Sequence, residues 1–248
     1  MKKLAFAFLL LVACSRDTVE RASPPVSTTE PASDTATATA TGTPEAPPSS
    51  VPPPAPVAGG RTLAFADEGT RDASFVAYRD RLLAAVRARD AKGVSALADP
   101  KIRTSFGGDG GRAGLEKVLA RPGMFEELEL ILTLGGSFQG EGDTAFWAPY
   151  VYSAYPDEQD AFSTLAVIGD DIPLHESPDA GSTVIATLSR NIVERLSEPG
   201  DDGPWQKVKA GEKVGFVETK FLRSPIDYRA GFNKFAEGWR MTGLVAGD

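Results

Sequence analysis

The sequence predicts an α+β protein: a helical N-terminal part plus an antiparallel sheet, with a small all-β barrel inserted between parts of that domain. Three observations carry this expectation. Apolar spacing is helical from Phe75 to Leu132. From Thr144 it changes to short strand-like runs, divided by turn residues at intervals of eight to twelve. Residues 225–248 then read as a closing hairpin. Composition excludes other classes. The charge of −8 gives no basic surface for nucleic acid, which needs clustered Lys and Arg. One Cys and one His are too few for a disulfide, a Cys/His metal cluster or a Cys–His nucleophile pair. No cofactor, metal ligand or catalytic residue is expected.

The chain opens with Met1-Lys2-Lys3, an apolar run from Leu4 to Val12, and Ala13-Cys14, which is secretory-signal patterning over residues 1–13. Nine apolar residues span only about 14 Å of helix, too short to cross a bilayer. Leu11-Val12-Ala13-Cys14 resembles the bacterial lipobox. That resemblance implies cleavage before Cys14 and acylation of its thiol, so that the membrane is a partner through a lipid anchor. Ser15 in place of Asp leans the expectation towards the outer membrane, periplasm-facing. Residues 14–60 form the linker. In residues 15–60, 32 of 46 positions are Pro, Ala, Ser or Thr and none is aromatic, so little apolar area is available to offset chain entropy. As a flexible coil this tether spans about 40 Å.

Residues 61–160 read as the helical α+β domain. Asp72 caps a helix with Phe75, Val76, Leu82, Leu83 and Val86 inward. Asp90 caps a second, with Val94 and Leu97 inward, ended by Asp99-Pro100. Ile102 to Phe106 is expected as a strand, Phe106–Gly111 as a loop and Arg112–Ala120 as helix. Arg121-Pro122-Gly123 breaks that helix. Phe125, Leu128, Ile131 and Leu132 mark another, closed by Gly135-Gly136. Thr144–Tyr152 is rich in strand formers, with Pro149 pointing to an edge or bulge.

Residues 161–224 carry the runs Thr164–Ile168, Ile172–Leu174, Thr183–Leu188, Ile192–Leu196, Trp205–Val208 and Val214–Val217, the spacing of a small barrel. Leu174-His175-Glu176-Ser177-Pro178, Thr183–Leu188, Trp205-Gln206-Lys207-Val208 and Gly215–Leu222 together resemble a bacterial SH3-like domain. His175 stands where that family usually carries Arg, and Phe216 where it usually carries Trp.

In the tail, Tyr228, Ala230 and Phe232 alternate, as do Trp239, Met241 and Val245, about a turn at Ala236-Glu237-Gly238. An isolated hairpin is marginal in water, so this one is expected to join Thr144–Tyr152 in one sheet. The two helices ending at Asp99-Pro100, the glycine-rich turn and the Phe232…Gly238-Trp239-Arg240-Met241 hairpin resemble the nuclear-transport-factor-2-like fold. Residues 73–248 also resemble proteobacterial SH3-domain lipoproteins, through Phe75–Asp80, Phe106–Gly111, Trp147–Tyr150 and Ser224–Arg229. That resemblance implies architecture and location, with no activity attached.

Chemistry-bearing motifs are few. Gly108-Asp109-Gly110-Gly111-Arg112-Ala113 fits a dinucleotide-binding pattern formally, but no buried strand precedes it and a structural glycine loop is the better reading. His175 beside Glu176 is the lone candidate base, read as a solvated loop residue. The acidic groups Asp157-Glu158-Asp160, Asp170-Asp171 and Asp201-Asp202 sit beside Pro and Gly and read as turn residues. Trp147, Tyr150, Tyr152, Trp205 and Phe216 are candidate ligand-binding aromatics, with Tyr150 and Tyr152 sharing one strand face. The leading expectation is a non-catalytic envelope lipoprotein presenting the SH3-like module to peptidoglycan peptide or an envelope protein. The alternative is a small-molecule-binding or hydrolytic α+β domain, with the barrel for targeting or support.

Overall fold

The computed structural model describes residues 54–57, 60–107, 110–198 and 203–247. The signal segment, Cys14 and the linker through residue 53 lie outside the described residues. The described residues belong to one compact unit with two sheets.

Helix α1 (Ala73–Arg87) starts where Asp72 accepts from the amides of Ser74 at 2.7 Å and Phe75 at 3.1 Å. It buries Phe75, Tyr78, Leu82 and Val86, a 3-4-4 spacing that leaves Val76 and Leu83 on the flanks of the stripe. Helix α2 (Ala91–Leu97) is capped by Asp90, which accepts from Gly93. Strand β1 runs over Ala98–Arg103, four residues earlier than Ile102–Phe106. Pro100 is tolerated inside it because β1 is an edge strand, where a missing N–H leaves no ladder bond unmade. Helices α3 (Gly111–Leu119) and α4 (Met124–Thr133) follow.

Strands β2 (Ser137–Gln139) and β3 (Ala145–Ala148) come next. The expected strand through Tyr152 stops at Ala148. Pro149 has no N–H to give the ladder, and it instead starts the short helix α5 (Tyr150–Ser153). Tyr150 and Tyr152 therefore do not share a strand face. The C-terminal hairpin, β11 (Arg229–Phe235) and β12 (Gly238–Val245), pairs with β3 through Ala230–Asn233. The sheet order is β1-β12-β11-β3-β2. It is mixed rather than antiparallel, because β1 runs parallel to β12. Helices α1 to α4 cover one face, where Phe75, Phe146, Phe232 and Trp239 build an aromatic core. Phe75 is its centre, with ring centroids 4.3 Å from Phe146 and 5.0 Å from Trp239.

The second sheet holds β4 (Thr164–Val167), β5 (Ile172–His175), β6 (Val184–Leu188), β7 (Ile192–Arg195), β8 (Trp205–Ala210), β9 (Lys213–Glu218) and β10 (Leu222–Arg223). Each strand-like run of the sequence becomes a strand. The closed barrel does not form: the order is β10-β4-β7-β8-β9-β5-β6, and among the described residues the end strands β10 and β6 do not pair. The inner face is an aliphatic cluster that includes Leu165, Leu174, Leu188, Val208 and Val217, with no helix among its members. A third cluster joins the sheets: Leu63 packs with Tyr150, Val151, Ala166 and Ile192. The chain ahead of α1 threads this seam. Val57 donates to Thr187 on β6, Leu63 to Arg190, and Glu68 to Gly136 beside β2.

Candidate functional site

The exposed face of the five-stranded sheet, opposite the helices, holds the candidate site. Strand alternation sends Phe146 into the core and Trp147 to this outer face. The indole lies across β11, where a Cβ at Gly231 would meet its ring at 2.9 Å, so only glycine lets it rest on the sheet. Helix α5 places Tyr152 with its ring centroid 5.4 Å from that of Trp147. Arg229, at the start of β11, sets its guanidinium 4.5 Å from the Tyr152 ring and 5.6 Å from Phe106. With Arg103, Asn233 and Thr242, these side chains line a pocket of about 330 Å³.

Its electrostatics are one-sided. Among the described residues, the lining has two arginines and no carboxylate. Arg229 is 6% exposed. One of its terminal nitrogens donates to the carbonyl of Gly247 at 2.7 Å, while its Nε has no partner among the described residues. The Thr242 hydroxyl donates to Asn233 Oδ1 at 2.7 Å, which leaves the Asn233 amide nitrogen as a donor in the lining.

Trp205 and Phe216 lie elsewhere, both on the outer face of the seven-stranded sheet. Gln206 and Val208 point inward from β8, so Trp205 and Lys207 point out. Lys207 pairs in register with Phe216 and holds its ammonium 6.0 Å from that ring. His175 is neither in a loop nor solvated. It ends β5, is 5% exposed, and packs edge-on to Trp205 at 5.1 Å. A register shift at Leu174/His175 turns it there, and its Nδ1 lies 3.3 Å from the Ser182 hydroxyl.

Of the candidate aromatics, Trp147 and Tyr152 thus line the pocket, and Trp205 and Phe216 form a second patch. Tyr150 lies in the seam, 1% exposed, where burial raises its hydroxyl pKa. Cys14 lies outside the described residues, as do Gly108 and Asp109 of the glycine loop. Arg112 of that motif donates to the carbonyls of Ala96 and Ala98, tying α3 to β1. The acidic groups hold turns and surface ion pairs where they are described, Glu158 meeting Arg61 at 3.4 Å. Asp160 accepts from the amide of Phe162, and Asp170 binds Arg190 through two bonds, while Asp201 and Asp202 lie outside the described residues. Among the described residues, no three His, Cys, Asp or Glu side chains gather as a metal site.

The sequence reading passed over Arg229, Phe106, Asn233 and Thr242. The signal was the period of two: with Tyr228, Ala230 and Phe232 on one face, Arg229, Gly231 and Asn233 must share the other. What it lacked was the pairing that brings Trp147 over Gly231.

No family model matches this chain, and no curated protein is significantly similar to it. Solved structures give weak likenesses. An NTF2-like protein with a cystatin-like fold from Novosphingobium aromaticivorans is 12% identical, covers 71% of this chain and 89% of its own, and has a TM-score of 0.25. An NTF2-like protein of unknown function from Pseudomonas putida is 13% identical, covers 73% of this chain and 89% of its own, and has a TM-score of 0.26. At these scores the likenesses carry no argument about this chain.

Proposed function

We propose that this protein is a ligand-binding lipoprotein of the cell envelope, anchored through Cys14, whose pocket on the five-stranded sheet takes a small molecule with an apolar ring. The envelope location rests on Leu11-Val12-Ala13-Cys14 and the signal patterning before it, with the outer membrane favoured by Ser15. The binding role rests on one observation: Trp147, Tyr152, Phe106 and Val245 wall a pocket of about 330 Å³ into which Arg103, Arg229 and Asn233 bring polar donors. The role is binding rather than catalysis, with aromatic walls supplying contact area and donors supplying orientation.

A second reading places function on the SH3-like module. Its support is that Trp205, Phe216 and His175 converge on one outer face, the kind of aromatic platform on which a cell-wall peptide docks. One titration separates the two. Indole N–H signals of Trp147 and Trp205, assigned with W147F and W205F, are followed by NMR. Small aromatic fragments are expected to move the Trp147 signal and leave Trp205 in place. Soluble muropeptides moving Trp205 alone, with Trp147 silent to every fragment, would replace this reading with the second.

A further inference from the structure

We infer that the pocket's ligand is a small organic carboxylate, with Arg229 as the partner of its anionic group; this rests on reading the pocket as a ligand site. The argument starts from charge. A guanidinium is always ionised and carries five donors, so burying one without a counter-charge is costly unless an anion completes it. Arg229 is 6% exposed, yet among the described residues its contacts are a carbonyl and two aromatic rings. Rings attract the cation without neutralising it.

A second buried arginine gives the contrast in charge pairing, although its Nε, like that of Arg229, has no partner among the described residues. Arg223, with 4% of its side chain exposed, binds the Glu127 carboxylate at 2.7 Å. Among the described residues Arg229 has no such partner; it lines a cavity with Arg103 as a second cation and no described acid in the lining. The missing charge belongs in the cavity.

Size and walls define the rest of the molecule. At about 30 Å³ per water-sized heavy atom, 330 Å³ accommodates on the order of ten heavy atoms. Trp147 and Tyr152, 5.4 Å apart between ring centroids, offer π-faces to a planar or cyclic apolar body. The planar fork of an arginine matches a carboxylate in two-point geometry, and Asn233 supplies a further neutral donor. An aromatic or alicyclic monocarboxylate meets all of these requirements at once.

The test uses benzoate and its neutral counterpart benzyl alcohol on the full chain in detergent, by calorimetry and by the Trp147 indole signal. Benzoate is expected to bind at least tenfold more tightly. Arg229→Met should lower benzoate affinity about thirtyfold or more, with benzyl alcohol changed less than about threefold. In the absence of ligand, Arg229→Met should keep or raise the melting temperature, because it removes an uncompensated buried charge. Equal affinity for the two probes would overturn the carboxylate assignment while leaving the pocket as a ligand site. Tighter binding of phenyl phosphate than benzoate would overturn it in favour of a phosphate ester. Asp109→Asn is the control for an internal counter-charge from the loop after Phe106. Unchanged benzoate affinity is expected, and a tenfold gain would assign Arg229 to the chain's own carboxylate. Failure of every probe to bind, with Trp147 silent, would remove the pocket reading itself.

Discussion

The two sheets solve the same problem with different materials. The five-stranded sheet is sided: α1 to α4 cover one face with an aromatic core, and the other face is left open with Trp147 lying on glycine. Among the described residues, the seven-stranded sheet builds its inner cluster from its own aliphatic residues, meets helix α5 only at the seam, and sends Trp205 and Phe216 outward. A sheet whose core is supplied by helices on one face keeps its other face free for side chains such as Trp147. A sheet that must bury its own inner residues has only its outside to offer, and aromatics there make a platform rather than a pocket. The difference locates the cavity on the first sheet and the patch on the second.

The largest predicted effect tests whether the cores are energetically separate. Phe75→Ala removes the centre of the aromatic cluster and is expected to cost about 3–5 kcal/mol, against about 2–5 kcal/mol for Leu174→Ala in the aliphatic cluster. Guanidinium unfolding followed separately at Trp239 and Trp205, in single-tryptophan variants, reads the two regions. Phe75→Ala should move the Trp239 transition first and Leu174→Ala the Trp205 transition. Coincident shifts in both variants would show that the seam makes them one cooperative unit.

The next prediction cuts between the regions. Arg223 of β10 meets Glu127 of α4, a buried pair that ties the seven-stranded sheet to the helices. Glu127→Ala leaves the arginine uncompensated and should cost about 3 kcal/mol, the low end for a buried pair because Glu127 is 25% exposed. The double variant E127L/R223M is expected to recover most of that loss. Additive losses instead would mean the pair matters for packing more than for charge.

The smallest effect sharpens the picture of the covered sheet. Asp72 caps α1 and also binds Lys234 of β11 at 2.7 Å, so one carboxylate joins helix start to sheet. Asp72→Ala should cost about 0.5–2 kcal/mol. Lys234, then Ser74, hold this carboxyl well below the usual aspartate value of 3.8. The folded state therefore keeps it ionised where the unfolded chain takes up a proton. Its contribution is complete above 3.8 and is lost as pH falls through the lower folded value. Asp72→Asn keeps a capping oxygen but not the ion pair. Its stability gap from the parent, measured by urea unfolding, should close in acid; a gap independent of pH would remove the Lys234 contact from the account.

Legibility followed the range of the interactions involved. Asp72, Asp90 and the stripe from Phe75 to Val86 were readable because capping and helical spacing act within a few residues. The strands from Thr164 to Val217 were readable because Gly, Pro or Asp marks most of the turns, and Ser189-Arg190-Asn191 the remaining one. Tyr78 was passed over in favour of Val76, since both are near the stripe and only packing chooses between them. The barrel expectation failed at closure. Local turns set the order of hairpins, but whether β10 meets β6 depends on the curvature of the whole sheet. The parallel contact of β1 with β12 joins residues more than a hundred positions apart, and no local pattern announces it.

By itself, then, the sequence determined where most helices, strands and turns fall and which face most of them bury, and it carries the signal-like pattern before Cys14 on which the proposed anchor rests. Those follow from periodicity, turn chemistry and composition, which act over short distances along the chain. The tertiary structure decided which face of the first sheet stays open, that Trp147 lies on Gly231 in a neighbouring strand, and that, among the described residues, Arg229 is buried there without an acid while Arg223 has one. Burial and charge pairing are properties of neighbours in space, and only the register of β3, β11 and β12 fixes who those neighbours are.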